Sequence, residues 1–185
     1  SVIIPAYNDA SYLKDGLNSL INQTQLPKKI IVIDSSDNDK ISLLIRNYSN
    51  SEISLIYKKI KKSYAGKSIN YAVKFANTEY LAFLDTKTVP DKNWLLKYSD
   101  ELKKNNFDIV FGSTKFKSKT YFQKLIKSAS YGNEIHESVP GSLIKKNSFL
   151  KVGGFHETLR AAYDIEWRSR VKRLLNYHIP KYAIV

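Results

Sequence analysis

Short apolar runs alternate with longer segments in which apolar residues recur at helical spacing. The runs have the length of buried strands and occupy positions 1–5, 30–33, 51–57 and 80–84, and the first two are rich in β-branched residues. Between the first two runs, Leu13, Leu17, Leu20 and Ile21 share one face of a helix that we expect to run from Asn8 or Asp9 to Asn22. This regular strand and helix order is typical of an α/β domain with a parallel first half.

The second half of the chain has a less regular pattern. It predicts a helix from about Pro90 to Lys104, a strand at 107–111, a helix over 121–131, a short strand at 141–144 and a helix over 161–175. Ile165, Val171 and Leu174 are expected to face inward on the last helix. No repeat or linker interrupts the pattern, so we expect residues 1–185 to form one domain with a mixed, mainly parallel sheet. The chain starts directly in a strand without Met and ends in an apolar run, which indicates a domain cut from a longer protein at both ends.

Composition narrows the classes of partner. Without cysteine the chain has no disulfide, no thiolate metal site and no cysteine nucleophile. The net charge of +13 fits nucleic acid, an anionic membrane surface, an acidic molecule such as a nucleotide diphosphate, or simple compositional bias. Only five of the 30 cationic residues are arginine, and the aromatic residues follow the core periodicity, so we expect no nucleic-acid partner.

Polar residues that could bind a ligand or take part in catalysis follow three of the predicted strands. Asp85 and Lys87 follow the strand at 80–84, Tyr7 and Asn8 follow the first strand, and Asp34 follows the second. Ligands of open α/β sheets bind beyond the carboxyl ends of the strands, which makes these residues candidates for a site. The alternatives are solvated charges at Asp85 and Lys87, a helix cap at Asn8, and an Asx-turn at Asp34.

Three familiar motifs are incomplete in this chain. Gly66-Lys67-Ser68 resembles a P-loop, but Lys61 stands where the first glycine is needed, so Lys67 either attracts a diphosphate or lies on a solvated basic edge. His136-Glu137 lacks the second histidine of a zinc helix. The sequence also contains no G-x-S-x-G nucleophile elbow.

Asp164 lies in the first turn of the last predicted helix. The helix dipole stabilises a carboxylate there, which suits a general base that accepts a hydroxyl proton. Glu166 is two residues away and points to another face, so the two acids do not form a glycosidase-type pair.

Together these residues resemble the family 2 glycosyltransferases, whose catalytic domain has the GT-A fold, a Rossmann-like three-layer α/β/α arrangement. The similarity extends over nearly the whole chain and rests on five motifs in the family's order. They are Ser1-Val2-Ile3-Ile4-Pro5-Ala6-Tyr7-Asn8, Val32-Ile33-Asp34-Ser35-Ser36, the segment from Asn70 to Asp85, Gly141-Ser142, and Val152-Gly153-Gly154-Phe155 followed by Asp164.

The resemblance implies an inverting transfer of a sugar from a nucleotide-diphosphate sugar to a glycan or lipid-linked acceptor. Asp164 would be the general base, and Tyr7 and Asp34 would hold the base and ribose. The residues implied in nucleotide-sugar binding are Pro5, Ala6, Tyr7, Asn8, Asp34, Ser36, Lys67, Asn70, Asp85 and Lys87. Those implied on the acceptor or donor-sugar side are Gly141, Ser142 and Arg168.

The sequence departs from the family pattern where a metal would bind. The D-x-D motif reads Asp85-Thr86-Lys87, so its second carboxylate is replaced by an ammonium group that cannot bind a cation. The resemblance implies Mn²⁺ or Mg²⁺ held by Asp85, whereas Lys87 argues against a metal and could contact the diphosphate itself. These departures leave a second reading open, a non-catalytic domain of the same fold that binds a nucleotide or glycan.

The cellular location follows from charge and chemistry together. A nucleotide-sugar donor implies a cytoplasmic protein, and the cationic surface implies peripheral contact with an anionic membrane at its inner face. Both remain expectations of the sequence.

Overall fold

The computed structural model describes residues 1–48, 52–118, 120–130, 132 and 134–183. The strands are β1 (Val2–Ala6), β2 (Lys29–Asp34), β3 (Ser54–Lys59), β4 (Tyr80–Phe83), β5 (Ile109–Thr114), β6 (His136–Lys145) and β7 (Tyr177–His178). The helices are α1 (Ala10–Ile21), α2 (Lys40–Arg46), α3 (Ala65–Val73), α4 (Trp94–Lys104), α5 (Tyr121–Ser130), α6 (Lys146–Val152) and α7 (Tyr163–Leu174). None of the helices in these ranges is long and apolar enough to cross a membrane.

The strands of the described ranges form one seven-stranded sheet in the order β3-β2-β1-β4-β6-β5-β7. The β1, β2, β3 and β4 strands pair in parallel, and β7 pairs in parallel with β5. Only β6 runs against its neighbours β4 and β5. The prediction of a mixed, mainly parallel sheet is therefore confirmed.

Helices cover both faces of the sheet because successive strand residues point to opposite sides. Ile4 and Val32 contribute to a core under α1, α2 and α4. Ile3 and Ile31 contribute to a second core under α3, α6 and α7. Since both faces of the central strands are buried, these strands read as continuous apolar runs rather than alternating ones. The result is the predicted three-layer α/β/α arrangement.

Pro5 lies inside β1 rather than ending it. It is in register with Ile33 of β2, while pairing with β4 stops at Ile3 and Phe83. The carbonyl of Ile3 accepts from Leu84 on the β4 side, so an N–H two residues later would point beyond the end of β4. Proline is tolerated there because no ladder hydrogen bond is lost.

On the last helix, α7, the residues that face inward differ from the predicted ones. Trp167 and Val171, four residues apart, are fully buried, whereas Ile165 is 58% exposed on the opposite side and Leu174 is exposed in the last turn. The predicted helix began two residues too early, and the large ring of Trp167 determines the buried face. The α6 helix was not predicted, and the short strand at 141–144 is the end of the longer β6.

A bulge interrupts the regular pairing of β5 with β6 near Gly141 and Ser142. The register shifts between Val110 and Gly112. The Ser142 hydroxyl accepts from the Gly112 N–H and donates to the Ser138 carbonyl, both at 2.8 Å, and is fully buried. Gly141 has a φ of 87°, and its carbonyl accepts from the Trp94 indole at 2.7 Å. Both residues stabilise the sheet through these hydrogen bonds, and their place on the acceptor or donor-sugar side stays a prediction.

We expect Gly112→Ala to destabilise the domain strongly. A Cβ at this position would lie 1.9 Å from the Pro140 carbonyl oxygen, so backbone must move, at a cost of about 3 kcal/mol. Gly16→Ala in α1 is the matched control, because its Cβ would meet its nearest atom at 3.4 Å and alanine favours a helix by roughly 0.5–1 kcal/mol. Urea unfolding of both variants tests this, and equal stability of the two would contradict the packing described.

Candidate active site

A hollow of about 250 Å³ opens at the edge of the sheet where β1, β2 and β4 end. The parallel pairing of these strands places their carboxyl ends side by side, as expected for a ligand site in an open α/β sheet. The predicted site residues that line it are Pro5, Ala6, Tyr7, Asp85 and Lys87. Asp9 and Tyr163 line it as well.

The hollow adjoins a wider cleft of about 930 Å³, since Tyr7, Ser63 and Ala65 line both. The cleft carries three cationic side chains, those of Lys62, Lys67 and Arg160. This wall favours an anionic ligand such as a diphosphate. Lys67 was predicted. Arg160, one of only five arginines, and Lys62 were not predicted.

Tyr7 presents a ring that its neighbours hold in place. Its hydroxyl donates to Asp37 at 2.8 Å, and the ammonium of Lys62 lies 5.2 Å from the ring centroid. The hydrogen bond from Tyr7 lowers the pKa of Asp37 below its ordinary value and so favours the charged acceptor. A partly exposed ring held in this way can stack against a flat base.

Asn8 and Ser36 connect the loops that follow β1 and β2. The backbone N–H of Asn8 donates to the Ser36 hydroxyl at 2.7 Å, and the side-chain oxygen of Asn8 accepts from the Asn38 amide at 2.8 Å. Asn8 adopts a left-handed conformation with a φ of 58°, which asparagine tolerates better than most residues. Neither residue lines the hollow or the cleft, and a direct contact of Asn8 or Ser36 with a nucleotide sugar stays a prediction.

Asp34 lies where the sequence placed it, but its carboxylate is fully enclosed. It has 0% exposure, with Oδ1 accepting from the Ser36 N–H and Oδ2 accepting from the Tyr57 hydroxyl, both at 2.8 Å. The Lys59 ammonium lies 3.5 Å from Oδ2. This arrangement favours the alternative of an Asx-turn over direct contact with a base or ribose, because a ligand would have to displace internal partners.

One carboxylate oxygen of Asp85 accepts hydrogen bonds from neighbouring residues, and the side chain is exposed at the hollow. Its Oδ1 accepts from the Lys87 N–H at 2.9 Å and from the Thr88 hydroxyl at 2.6 Å. Within the described part of the chain, Oδ2 has no such partner and is available to a ligand. The Lys87 ammonium lies 5.4 Å from the ring of Tyr12 and can reach a second anionic group.

Tyr163 is affected by the charges of both Asp85 and Asp164. Its phenol lines the hollow, and burial raises its pKa to about 12, with the charges of Asp164 and Asp85 adding to the shift. Both carboxylates therefore lie close enough to act on one side chain. Asp164 follows Tyr163 in the first turn of α7 and is partly exposed, and it is not among the residues that line the hollow.

Arg168 lies between β6 and α7 and contacts Asp164. Its guanidinium donates to the Glu137 carbonyl at 3.0 Å, lies 3.3 Å from the Glu137 carboxylate, and lies 4.0 Å from Oδ2 of Asp164. These contacts hold the carboxylate of Asp164 from one side. A direct contact of Arg168 with an acceptor stays a prediction.

Asn70 fixes the loop that forms the far wall of the cleft. Its amide donates to the Phe155 carbonyl at 2.8 Å, and its oxygen accepts from the Phe155 N–H at 2.9 Å. A Cβ on Gly154 would lie 2.5 Å from that oxygen, so the glycine is needed for this approach. The loop then carries Glu157, Thr158 and Arg160 into the cleft. Asn70 thus acts on the site through the loop.

No group of three or more acidic or histidine side chains that could enclose a metal occurs in the part of the chain that the structure describes. Asp9 and Asp85 both line the hollow, and Asp9 already accepts from the Thr86 hydroxyl at 3.1 Å. The protein alone therefore offers an incomplete set of oxygen ligands. Such a set fits a cation that is bound partly by substrate phosphates and water.

These features define an α/β domain with a ligand-sized hollow at the carboxyl ends of its parallel strands, and comparison with known proteins identifies its family. The model of "Glycosyl transferase family 2" matches residues 1–164. The chain belongs to this family, as its sequence motifs predicted.

Relatives of known name support the assignment. Glycosyltransferase AglE of Haloferax volcanii is 29% identical over 185 residues, covering 92% of this chain and 60% of AglE. The Escherichia coli UDP-Glc:alpha-D-GlcNAc-diphosphoundecaprenol beta-1,3-glucosyltransferase WfgD is 28% identical over 113 residues, covering 61% of this chain and 44% of WfgD. The chain therefore spans only about half the length of these relatives.

Solved structures confirm the GT-A fold. S. aureus TarS 1-349 superposes with a TM-score of 0.79 at 21% identity, covering 99% of this chain and 58% of TarS. The mannosyltransferase PcManGT from Pyrobaculum calidifontis, in complex with GDP-Man and Mn²⁺, superposes with a TM-score of 0.72 at 18% identity, covering 97% of this chain and 53% of that one.

Proposed function

We propose that this domain transfers a sugar, with inversion, from a nucleotide-diphosphate sugar to a glycan or lipid-linked acceptor. The observation that carries the proposal is that Asp85, Lys87 and Tyr163 line one hollow, and Asp164 is the residue after Tyr163 in the first turn of α7. Two relatives fit this class of reaction, since one TarS structure is a complex with UDP-GlcNAc and the name of WfgD gives a lipid diphosphate acceptor.

The donor would occupy the hollow and the adjoining cleft. The base would stack on Tyr7, and the diphosphate would lie between Lys87 and the cationic side chains of Lys62, Lys67 and Arg160. The exposed Oδ2 of Asp85 would bind the ribose or the metal side of the diphosphate. The sugar would then face Tyr163 and Asp164.

The transfer step follows from these positions. Asp164 would accept the proton of the acceptor hydroxyl. At the same time the oxygen of that hydroxyl forms a bond to the anomeric carbon from the face opposite the diphosphate. The bond from that carbon to the phosphate oxygen breaks, and its electron pair leaves with the nucleoside diphosphate. Attack from the opposite face inverts the anomeric centre. Lys87 and the cleft cations would stabilise the charge that develops on the leaving group.

A divalent cation fits the site only as a partner of the substrate. Asp85 would contribute one carboxylate, and the diphosphate and water would complete the coordination sphere. When bound, the cation would add positive charge beside the leaving group. Lys87 performs part of the same task as a fixed ammonium group, so dependence on metal is expected to be weak.

The second candidate function is binding of a nucleotide or glycan without turnover. It is favoured by one observation, the presence of Lys87 where the family's second D-x-D carboxylate would stand. This candidate requires the same hollow and cleft but no role for Asp164. The two candidates therefore differ in what the removal of one carboxylate does.

We expect Asp164→Asn to abolish transfer and donor hydrolysis while leaving donor binding intact. Loss of a general base lowers a rate on the order of a hundredfold to ten-thousandfold, whereas the amide keeps the size of the side chain. Release of nucleoside diphosphate from UDP-GlcNAc, UDP-glucose and GDP-mannose measures turnover, and thermal stabilisation by the same donors measures binding. Asp15→Asn, an exposed acid of α1, is the control.

The outcomes separate the candidates. Turnover that Asp164→Asn removes supports the transferase. Donor binding with no turnover by the unaltered domain supports the binding module. Turnover that survives the substitution contradicts the role of Asp164.

We expect Lys87→Asp to raise the affinity for Mn²⁺ by roughly tenfold or more, because a second anionic oxygen replaces a repelling ammonium group. Calorimetric titration of Mn²⁺ with and without UDP measures the effect, and Lys103→Asp, at an exposed position of α4 that lines neither the hollow nor the cleft, controls for the change in net charge. A tight Mn²⁺ site in the unaltered domain that Asp85→Asn abolishes would show that Lys87 does not replace the metal.

A further inference from the structure

The α5 helix has an apolar face that the described residues of the chain leave exposed. Tyr121, Phe122, Leu125 and Ile126 are 77%, 71%, 50% and 47% exposed, and no residue of the helix is buried. At 100° per residue these four side chains lie on one side of the helix, and Lys124 and Lys127 lie on the other. An apolar stripe this exposed is uncommon on a water-facing helix and indicates contact with something else.

Local signals specify α5 without help from a core. The Thr120 hydroxyl accepts from the Gln123 N–H and the Gln123 side chain accepts from the Thr120 N–H, both at 3.2 Å, which is a capping box. At the other end Gly132, with a φ of 62°, donates to the Lys127 carbonyl at 2.7 Å. The chain therefore encodes a helix here although folding buries none of its face.

The surrounding sequence is cationic throughout. Residues 115–133 contain no aspartate or glutamate. They contain five lysines, namely Lys115, Lys117, Lys119, Lys124 and Lys127. An apolar stripe with lysines on the polar side and in the flank is typical of a helix that lies in the interface of an anionic bilayer. A helix of 10 residues is too short to span one.

The topology places this segment at the same edge of the sheet as the candidate active site. Both β4 and β5 run antiparallel to β6, so they run parallel to each other. The carboxyl end of β5, at Thr114, therefore lies at the edge where β1, β2 and β4 end. Residues 115–135 continue from that end, and α5 is part of them.

We infer that α5, together with Lys115 and Lys117 before it, forms a membrane-docking surface for anionic phospholipids. A second copy of the chain is the less suitable occupant, because pairing two α5 faces would bring two acid-free, lysine-rich segments together. The inference does not require the domain to transfer sugar. Where the proposed function holds, docking would bring the rim of the active site to the surface that carries a lipid-linked acceptor.

Co-flotation with vesicles tests the inference directly. Vesicles of equimolar phosphatidylglycerol and phosphatidylcholine should bind the domain at low salt, and vesicles of phosphatidylcholine alone should not. Phe122→Gln combined with Leu125→Gln should weaken binding by roughly tenfold, since two apolar side chains no longer enter the interface. Lys124→Gln combined with Lys127→Gln should weaken it by roughly twentyfold, and added salt should do the same to the unaltered protein.

Matched controls are available on other helices. Leu150→Gln removes an exposed leucine of α6, and Lys103→Gln with Lys104→Gln removes two exposed lysines of α4. Both should leave vesicle binding unchanged. All variants should unfold at the same urea concentration as the unaltered domain, because none of the substituted α5 residues belongs to a core.

A tryptophan reporter gives a second readout. Trp94 and Trp167 are fully buried, so Phe122→Trp adds an indole whose emission should shift to the blue only with anionic vesicles. No vesicle binding, or binding that the α5 variants do not weaken, would overturn the inference. Sedimentation showing self-association that the Phe122 and Leu125 substitutions abolish would also overturn it, in favour of a second copy. Donor stabilisation of the same variants is measured separately, so a failure of docking is distinguishable from a failure of the proposed function.

Discussion

The parallel pairing of β1 with β2 and β4 is the constraint on which the site depends. It sets Ala6, Asp34 and Leu84 at one edge, so that residues from separate parts of the sequence reach a common hollow. The pairing is fixed in turn by strands that are buried on both faces, where a shift by one residue would exchange the two cores. The geometry of the site is therefore a consequence of apolar packing at a distance from it.

A second set of contacts builds the opposite wall from loops. Arg170 donates to the carbonyls of Val152 and Gly154 and to the carboxylate of Glu166, and Asn70 holds Phe155. These polar groups fix the chain between α6 and α7 without regular structure. Because they hold backbone carbonyls, the position of the cleft wall depends on a few side chains that contact no ligand themselves.

The sequence predicted the strand ends well and the details around them less well. Asp85 and Lys87 face the hollow as expected because the exit from an apolar run is a local signal. The burial of Asp34 depends on Tyr57 and Lys59 of a neighbouring strand, and the roles of Ser142 and Gly112 depend on a register shift. Such features arise from pairing between distant segments, which periodicity along one segment does not reveal. The family motifs located these residues without indicating whether they contact a ligand.

The central claim is that one hollow at the sheet edge binds the nucleoside diphosphate. Titration of UDP or GDP into isotopically labelled protein, followed by amide NMR, tests it most directly. The account predicts saturable shifts concentrated at residues 5–9, 62–68 and 85–87 and at Tyr163, with β7 unchanged. Saturable shifts confined to another surface, or none with any nucleoside diphosphate, would contradict it.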